Sequence, residues 1–315
     1  MIWNAWHKLS KKDDPVTGYL HQRYAQSLAE FGTPRELAQC RGWILERQIP
    51  GSALRDAMGC YPLFVCQDWS QLHADLDALV GNLVSLALVT DPFGNYELPY
   101  LQRCFDLVIP YKEHFVTDLH QPMKAIASKH HRKYARKALR EVQVERCTDP
   151  TQHLDEWVDL YATLIERHDI NGIQEFSRQA FAQQLETPGI EMFRVVHQGA
   201  TVGANLIYLQ GEIAYGHLSA FSPKGYSLGA PYAVKWAVME YLSNEAHWLD
   251  LGAGAGVTAN GTDGLSRFKR GWSTGTRTAY FCGRIFNRNA YEAIVNSKGI
   301  TETDYFPAYR DGEFA

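Results

Sequence analysis

Residues 191–221 read EMFRVVHQGATVGANLIYLQGEIAYGHLSAF, and this stretch decides the fold. Glu191 to His197, Thr201 to Leu209 and Glu212 to Phe221 are apolar-rich runs of strand length. Gln198-Gly199 and Gln210-Gly211 between them read as tight hairpin turns, so the spacing predicts an antiparallel meander. Upstream lie two helical patterns, about 153–168 and 175–186. Downstream come Ser222-Pro223-Lys224-Gly225, a helix from about Gly229 to Asn244 and a strand from Trp248 to Leu251. A glycine-rich loop then runs to Gly264, followed by a short basic segment, Leu265 to Trp272, and a strand from Arg277 to Cys282. The order α-α-β-β-β-α-β-α-β is a mixed α/β layer arrangement, with a hairpin meander before a crossover helix.

Working outward, the first third mixes both signals. Residues 19–31 read as an amphipathic helix, and Gly42 to Ile49 and Tyr61 to Cys66 as strands. Trp69 to Val80 spaces Leu72, Leu76 and Leu79 on one helical face. Leu83 to Thr90 is a buried strand stopped by Asp91-Pro92-Phe93-Gly94. Val108-Ile109-Pro110 and His114-Phe115-Val116 are shorter strands. Composition changes at 122, and a domain boundary is expected near 148, giving units of 1–148 and 149–315.

With 315 residues the chain suits two domains or one large one. Apolar residues at 45% and charged residues at 21% exclude disordered, collagen-like and coiled-coil classes. A formal charge of −4 gives no global attraction for nucleic acid, so an anion site has to be a local patch, and no DNA partner is expected. The longest apolar run, around Leu83 to Val89, falls far short of the ~20 residues of a membrane span. The apolar part of Met1 to Lys8 is too short for a signal peptide, and Asp13 and Asp14 soon follow, so a cytoplasmic protein is expected. Cys40, Cys60, Cys66, Cys104, Cys147 and Cys282 show no zinc spacing and read as reduced thiols; no metal is expected.

Four segments carry chemistry. The turn Phe221 to Ala230 lets a backbone approach closely at Gly225 and Gly229, and the helix that follows offers unpaired N–H groups to a pyrophosphate or carboxylate. An ordinary glycine turn is the plainer alternative. Gly252-Ala253-Gly254-Ala255-Gly256, continuing through Asn260, Gly261 and Thr262 to Asp263-Gly264, lacks the G-x-G-x-x-G spacing, so it reads as an active-site rim and not a dinucleotide site. Arg267-Phe268-Lys269-Arg270-Gly271-Trp272 sets three cations in four positions between aromatics, which suits an oxyanion or polyanion. Its alternative is a solvated basic turn that packs Phe268 and Trp272 into the core. Finally, residues 122–140 form a helical pattern with Lys124, Lys129, Arg132, Lys133, Arg136, Lys137 and Arg140 and no acid. Like charges at i,i+4, such as Arg132, Arg136 and Arg140, repel, so an anionic partner explains them better than solvation alone. The adjacent His130 and His131 lie on different sides of a helix and are read as ordinary residues.

Together these residues resemble the C-terminal domain of Fem-type (FemAB-like) transferases in the GNAT acyltransferase superfamily. The matching runs are Gly203 to Tyr208, Ala214 to Ser219, Leu228-Gly229-Ala230-Pro231-Tyr232 with Trp236, and Asp250-Leu251-Gly252. The most specific part is Asp250-x-Gly252 paired with Gly264-Leu265-x-x-Phe268-Lys269-x-Gly271-Trp272. Arg132 to Ala138 resembles the basic helix that precedes that domain, and Phe306 to Arg310 is similar to the tail of GNAT-like members. The resemblance covers about 120–285. It implies two tandem GNAT-like domains, each a mixed, mostly antiparallel sheet flanked by helices, with a cleft between them. It implies transfer of an acyl or aminoacyl group from acyl-CoA or aminoacyl-tRNA, with no tightly bound cofactor. The acceptor would be a small-molecule or nucleotide-linked amine, in cell-envelope, polysaccharide or natural-product biosynthesis. The lysine acting at the carbonyl maps to Lys269, with Phe268 before it, and donor or acceptor phosphates map to Arg132 and Arg136. One departure stands out. The GNAT pyrophosphate motif places Gln or Arg, then Gly, then Gly or Ala, where this chain has Tyr226, Gly229 and Pro231.

Aminolysis of an ester or thioester passes through a tetrahedral oxyanion, and a cation held in a dry cleft stabilises it by ~3–4 kcal/mol. Lys269 is assigned that role, Arg267 and Arg270 phosphate contacts together with Leu228, Gly229 and Ala230, and Trp272 a substrate contact. Asp250, Asp263, His217 and Tyr215 are the candidates for the base. Two other classes stay open: a degenerate transferase fold that binds a phosphorylated ligand or RNA without turnover, and a scaffold for an envelope assembly.

Overall fold

A computed structural model describes residues 15–168, 172–255 and 263–313. The N-terminal reading at Met1 to Asp14 and the loop from Gly256 through Asn260, Gly261 and Thr262 lie outside the described residues. The strands are β1 (Thr33–Leu37), β2 (Gly42–Gln48), β3 (Arg55–Gly59), β4 (Ser85–Val89), β5 (Leu107–Asp118), β6 (Gln143–Cys147), β7 (Ile190–His197), β8 (Ala200–Gln210), β9 (Ile213–Phe221), β10 (Trp248–Asp250) and β11 (Gly275–Ile285). The helices are α1 (Gln22–Ser27), α2 (Leu72–Asp77), α3 (Leu98–Cys104), α4 (Met123–Ile126), α5 (Lys129–Ala138), α6 (Leu154–His168), α7 (Arg178–Leu185), α8 (Pro223–Leu228), α9 (Ala230–Leu242), α10 (Gly264–Arg270) and α11 (Arg288–Ser297).

All these strands join one sheet in the order β1-β2-β3-β4-β11-β5-β10-β9-β8-β7-β6. Pairing is antiparallel except at β3/β4 and β9/β10. Each half therefore builds the same unit, a meander (β1-β2-β3, β7-β8-β9) followed by a parallel strand. Each half then sends its next strand across the midline: β5 pairs with β10, and β11 pairs with β4 and β5. The mixed α+β architecture with a mostly antiparallel sheet is the expected one.

The meander residues alternate with a period of two, except where a bulge at Val202 turns it to the face opposite Ala204. Ala204, Leu206 and Tyr208 of β8 pack with Trp157 and Phe181 under α6 and α7. Val202 and Ile207 pack on the other face with Val234 and Val238 of α9 and Ala135 of α5. Both layers lie over the half that carries the candidate site, so its strands are fixed from both sides.

Several local expectations shift. Tyr61 to Cys66 makes only the isolated bridge Phe64–Thr90, because Pro62 has no N–H to extend a ladder. The two short strands around Pro110 are one strand, β5; a register shift at Ala279/Tyr280 leaves Tyr111 as an extra residue and absorbs the proline. The helix expected over 229–244 begins with a separate turn, α8, which ends at Gly229 with φ +76°. The basic segment after Gly264 is the helix that the element order expects there, and Asp263 caps it: its carboxylate accepts from Ser266 N at 2.9 Å. The tail returns to the first half, where Arg310 forks onto the buried Asp56 at 2.8 Å through both Nε and Nη2. No helix among the described residues is long and apolar enough to cross a membrane.

Candidate active site

β9 and β10 pair over only three positions, ending at Tyr215 opposite Asp250. Beyond them β9 continues to Phe221 while β10 stops, so the sheet opens at this point. Asp250 is 2% exposed. Its carboxylate meets His114 Nδ1 of β5 at 2.8 and 3.1 Å and accepts from Gly252 N at 2.7 Å. Tyr215, on the paired position of β9, donates its hydroxyl to Asp91 Oδ2 at 2.8 Å. Asp91 comes from the first half, just after β4, and also accepts from Phe93 N at 2.9 Å. The strand exchange thus brings Asp91, His114, Tyr215 and Asp250 to one place on the midline. Burial pushes the Asp91 carboxyl up to about 6 against the pull of the Phe93 and Tyr215 hydrogen bonds, and the Asp250 charge adds to the rise.

Lys269 reaches the open end of β10 from α10. Its ammonium donates to Ala253 O at 2.6 Å, and a Cβ on Gly252 would lie 3.1 Å from Nζ. Burial lowers the Lys269 pKa to about 8; Asp250 and Asp263 oppose that fall and Lys112 reinforces it. Lys235 of α9 is a more deeply buried ammonium, 9% exposed, and donates to Asn205 Oδ1 at 3.3 Å. Its pKa is also lowered to about 8, by burial and then by the Lys269 charge. Lys269 therefore feels the Asp250 charge, and Lys235 feels that of Lys269; each has a single hydrogen bond among the described residues and further donors to offer.

α5 is locked against this site. His131 accepts or donates at Ser128 Oγ (2.7 Å) and meets Phe268 O at 3.1 Å. Its ring lies so close that a Cβ on Gly271 would be 2.0 Å away, which is why glycine stands there. Tyr134, Tyr232, Phe268 and Trp272 continue the aromatic contact across α5, α9 and α10.

Residues 127–270 match the family model of the acetyltransferase (GNAT) domain. The whole described fold also resembles FemX, with 15% identity and a TM-score of 0.66 over 90% of this chain and 96% of that one. It resembles the C-terminal DUF2156 domain of a putative lysylphosphatidylglycerol synthetase from Agrobacterium fabrum, at 14% identity and TM-score 0.58 over 87% and 91% of the two chains. L-PGS from Bacillus licheniformis gives 14% identity and 0.55 over 92% and 100%. These likenesses show the fold. No curated protein matches the chain by sequence.

The structure places the other expected residues as follows. Trp272 is fully buried in the α5–α10 contact, and its indole N–H has no partner among the described residues. Asp263 caps α10, and the two Ser266 hydrogen bonds hold its carboxyl below the usual range. His217 is buried away from Lys269, with Nδ1 at 3.1 Å from Tyr19 Oη and Nε2 at 3.2 Å from Gln184 Oε1. Burial holds its pKa down to about 3, so the ring is neutral. Leu228, Gly229 and Ala230 form the α8–α9 junction; there Pro231 has no N–H, and Tyr232 N already donates to Gly229 O at 2.9 Å. Arg132 donates to the Lys124 carbonyl at 2.9 Å and to that of Ala127, closing the end of α4. Arg136 and Arg267 are exposed and without an ion pair among the described residues, while the Arg270 guanidinium lies 5.6 Å from the Phe115 ring centre. Sequence reasoning missed Asp91, His114 and Lys235. Asp91 was read as turn chemistry, yet an acid directly after a buried strand was the available signal. Lys235 lies in an apolar helix face, between Val234 and Trp236, where a cation breaks the pattern.

Proposed function

We propose that this protein transfers an acyl or aminoacyl group from an activated carrier to an amine, with the chemistry at the open end of β10. The observation that carries this reading is the half-buried Lys269 ammonium, which feels the charge of Asp250 in the Asp250–His114 pair. Lys269 stabilises the oxyanion as the amine attacks the carbonyl, and Lys235 adds charge behind it. Asp250 keeps Lys269 protonated and orients His114. Asp91, whose pKa is raised to about 6, takes the proton from the attacking amine and passes it to the carrier's oxygen or sulfur, whose bond to the acyl carbon breaks as the carbonyl re-forms.

Of the two carriers, the geometry favours aminoacyl-tRNA over acyl-CoA. The α8–α9 junction offers a pyrophosphate few donors, since Pro231 lacks one and Tyr232 N is occupied. α5 instead presents Lys129, Lys133, Arg136 and Lys137 to solvent with no ion pair among the described residues. The test is transfer from aminoacyl-tRNA and acyl-CoA panels by the wild type and Lys269→Ala. Loss of at least about 100-fold is expected; retention within about tenfold overturns the role of Lys269. A Lys133→Glu/Arg136→Glu/Lys137→Glu variant is expected to lose tRNA binding and flatten its salt dependence. Unchanged tRNA binding would shift the choice to acyl-CoA.

A further inference from the structure

The outer end of β5 and the turn entering β10 bring three metal-ligating side chains together, away from the reaction centre. Asp118 closes β5, His120 follows two residues later, and His247 immediately precedes β10. One ligand atom from each lies within 4.8 Å of the others. Sheet register sets this meeting: Trp248 pairs with Asp118, and Leu119 N donates to His247 O at 2.8 Å. His247 N in turn donates to Glu212 O at 2.9 Å. The Asp118 carboxylate is aimed by His120 N at 3.0 Å and Gln121 Nε2 at 3.2 Å. The imidazoles have little other employment. His247 Nε2 faces Asp118 Oδ1 at 3.4 Å, and among the described residues no hydrogen bond holds the His120 ring. The site is open to solvent, with the Asp118 and His247 side chains 23% and 33% exposed.

We propose that Asp118, His120 and His247 bind a divalent transition metal of the zinc class, with water completing the coordination. Two imidazoles and one carboxylate suit Zn²⁺, Ni²⁺ or Cu²⁺, whereas Mg²⁺ and Ca²⁺ seek oxygen donors. The two rings stack at 4.1 Å and 11°, so their in-plane lone pairs do not yet converge. His120, exposed on its turn, rotates out of the stack to bind. His247 stays pinned against the Trp248 ring, 4.9 Å away at 24°. The bound ion clips the end of β5 to the start of β10, the strand that carries Asp250.

The test uses the full-length chain without a histidine tag. Titration calorimetry with Zn²⁺ is expected to show one ion per chain, weakened at least tenfold in His120→Ala and in Asp118→Asn. Zn²⁺ is expected to raise the melting temperature where Mg²⁺ does not. Ni²⁺ is expected to quench tryptophan fluorescence, and Trp248→Phe to remove most of that quench. His120 is exposed, so His120→Ala keeps its fold, and its metal-free melting temperature verifies this. Absence of saturable Zn²⁺ binding, or binding and quenching unchanged in His120→Ala, overturns the site.

Discussion

The Lys269 ammonium is held where burial favours its neutral form, at about 8 against 10.5 in water. Between those values the unfolded chain binds more protons than the folded one, so this group's contribution to stability rises with pH from about 8 to 10.5. Below about 8 the full penalty is present. Lys269→Met is therefore expected to stabilise the fold at pH 7 by roughly 1–2 kcal/mol, after discounting for its partial exposure, while abolishing transfer. Urea unfolding beside an activity assay reads both. If the charged form is the working one, transfer falls as pH rises through about 8. Asp250 raises the Lys269 pKa, so Asp250→Asn is expected to move that alkaline limb to lower pH, beyond any loss of rate. An unmoved limb would separate Asp250 from Lys269. At this scale Lys269 is legible as a candidate because its neighbours form a local motif. Asp91 and His114 were illegible because their partners, Tyr215 and Asp250, lie 124 and 136 residues away.

Among the elements, the contact of α5 with α10 decides whether the basic helix and Lys269 share a frame. Gly271 is its tightest point. Gly271→Ala would place a Cβ 2.0 Å from the His131 ring, and a loss of about 1–3 kcal/mol with weakened carrier binding is expected. Adding His131→Ala makes room, so the double variant is expected to recover part of the stability; denaturant titration of the three variants measures this. Partial legibility is instructive here. The basic helix was visible in composition and the meander in its turns, since both signals are local. α10 stands as a helix in the expected element order, but its bounds come from the Asp263–Ser266 cap, because seven residues are too few for a periodic pattern. β1 and β3, five residues each, carry no alternation strong enough to read alone.

For the molecule as a whole, the two units meet by exchange and not by simple contact. β11 of the second lies between β4 and β5 of the first, and β5 lies against β10 of the second. Residues 1–148 expressed alone would leave β4 and β5 with open edges. They are expected to aggregate or stay partly folded, while the full chain unfolds in one cooperative step. Two separated transitions in calorimetry would refute this. No local signal foretells such an exchange: a strand pattern names its own face but not its neighbour.

The same arrangement bears on birth at the ribosome. The centre of the sheet waits for a segment, 275–285, made long after the strands it fits between. Synthesis at ~5–20 residues per second leaves that slot vacant for roughly ten seconds or more. During that interval the nascent chain exposes two unpaired backbone edges, and a holding chaperone would find its target there.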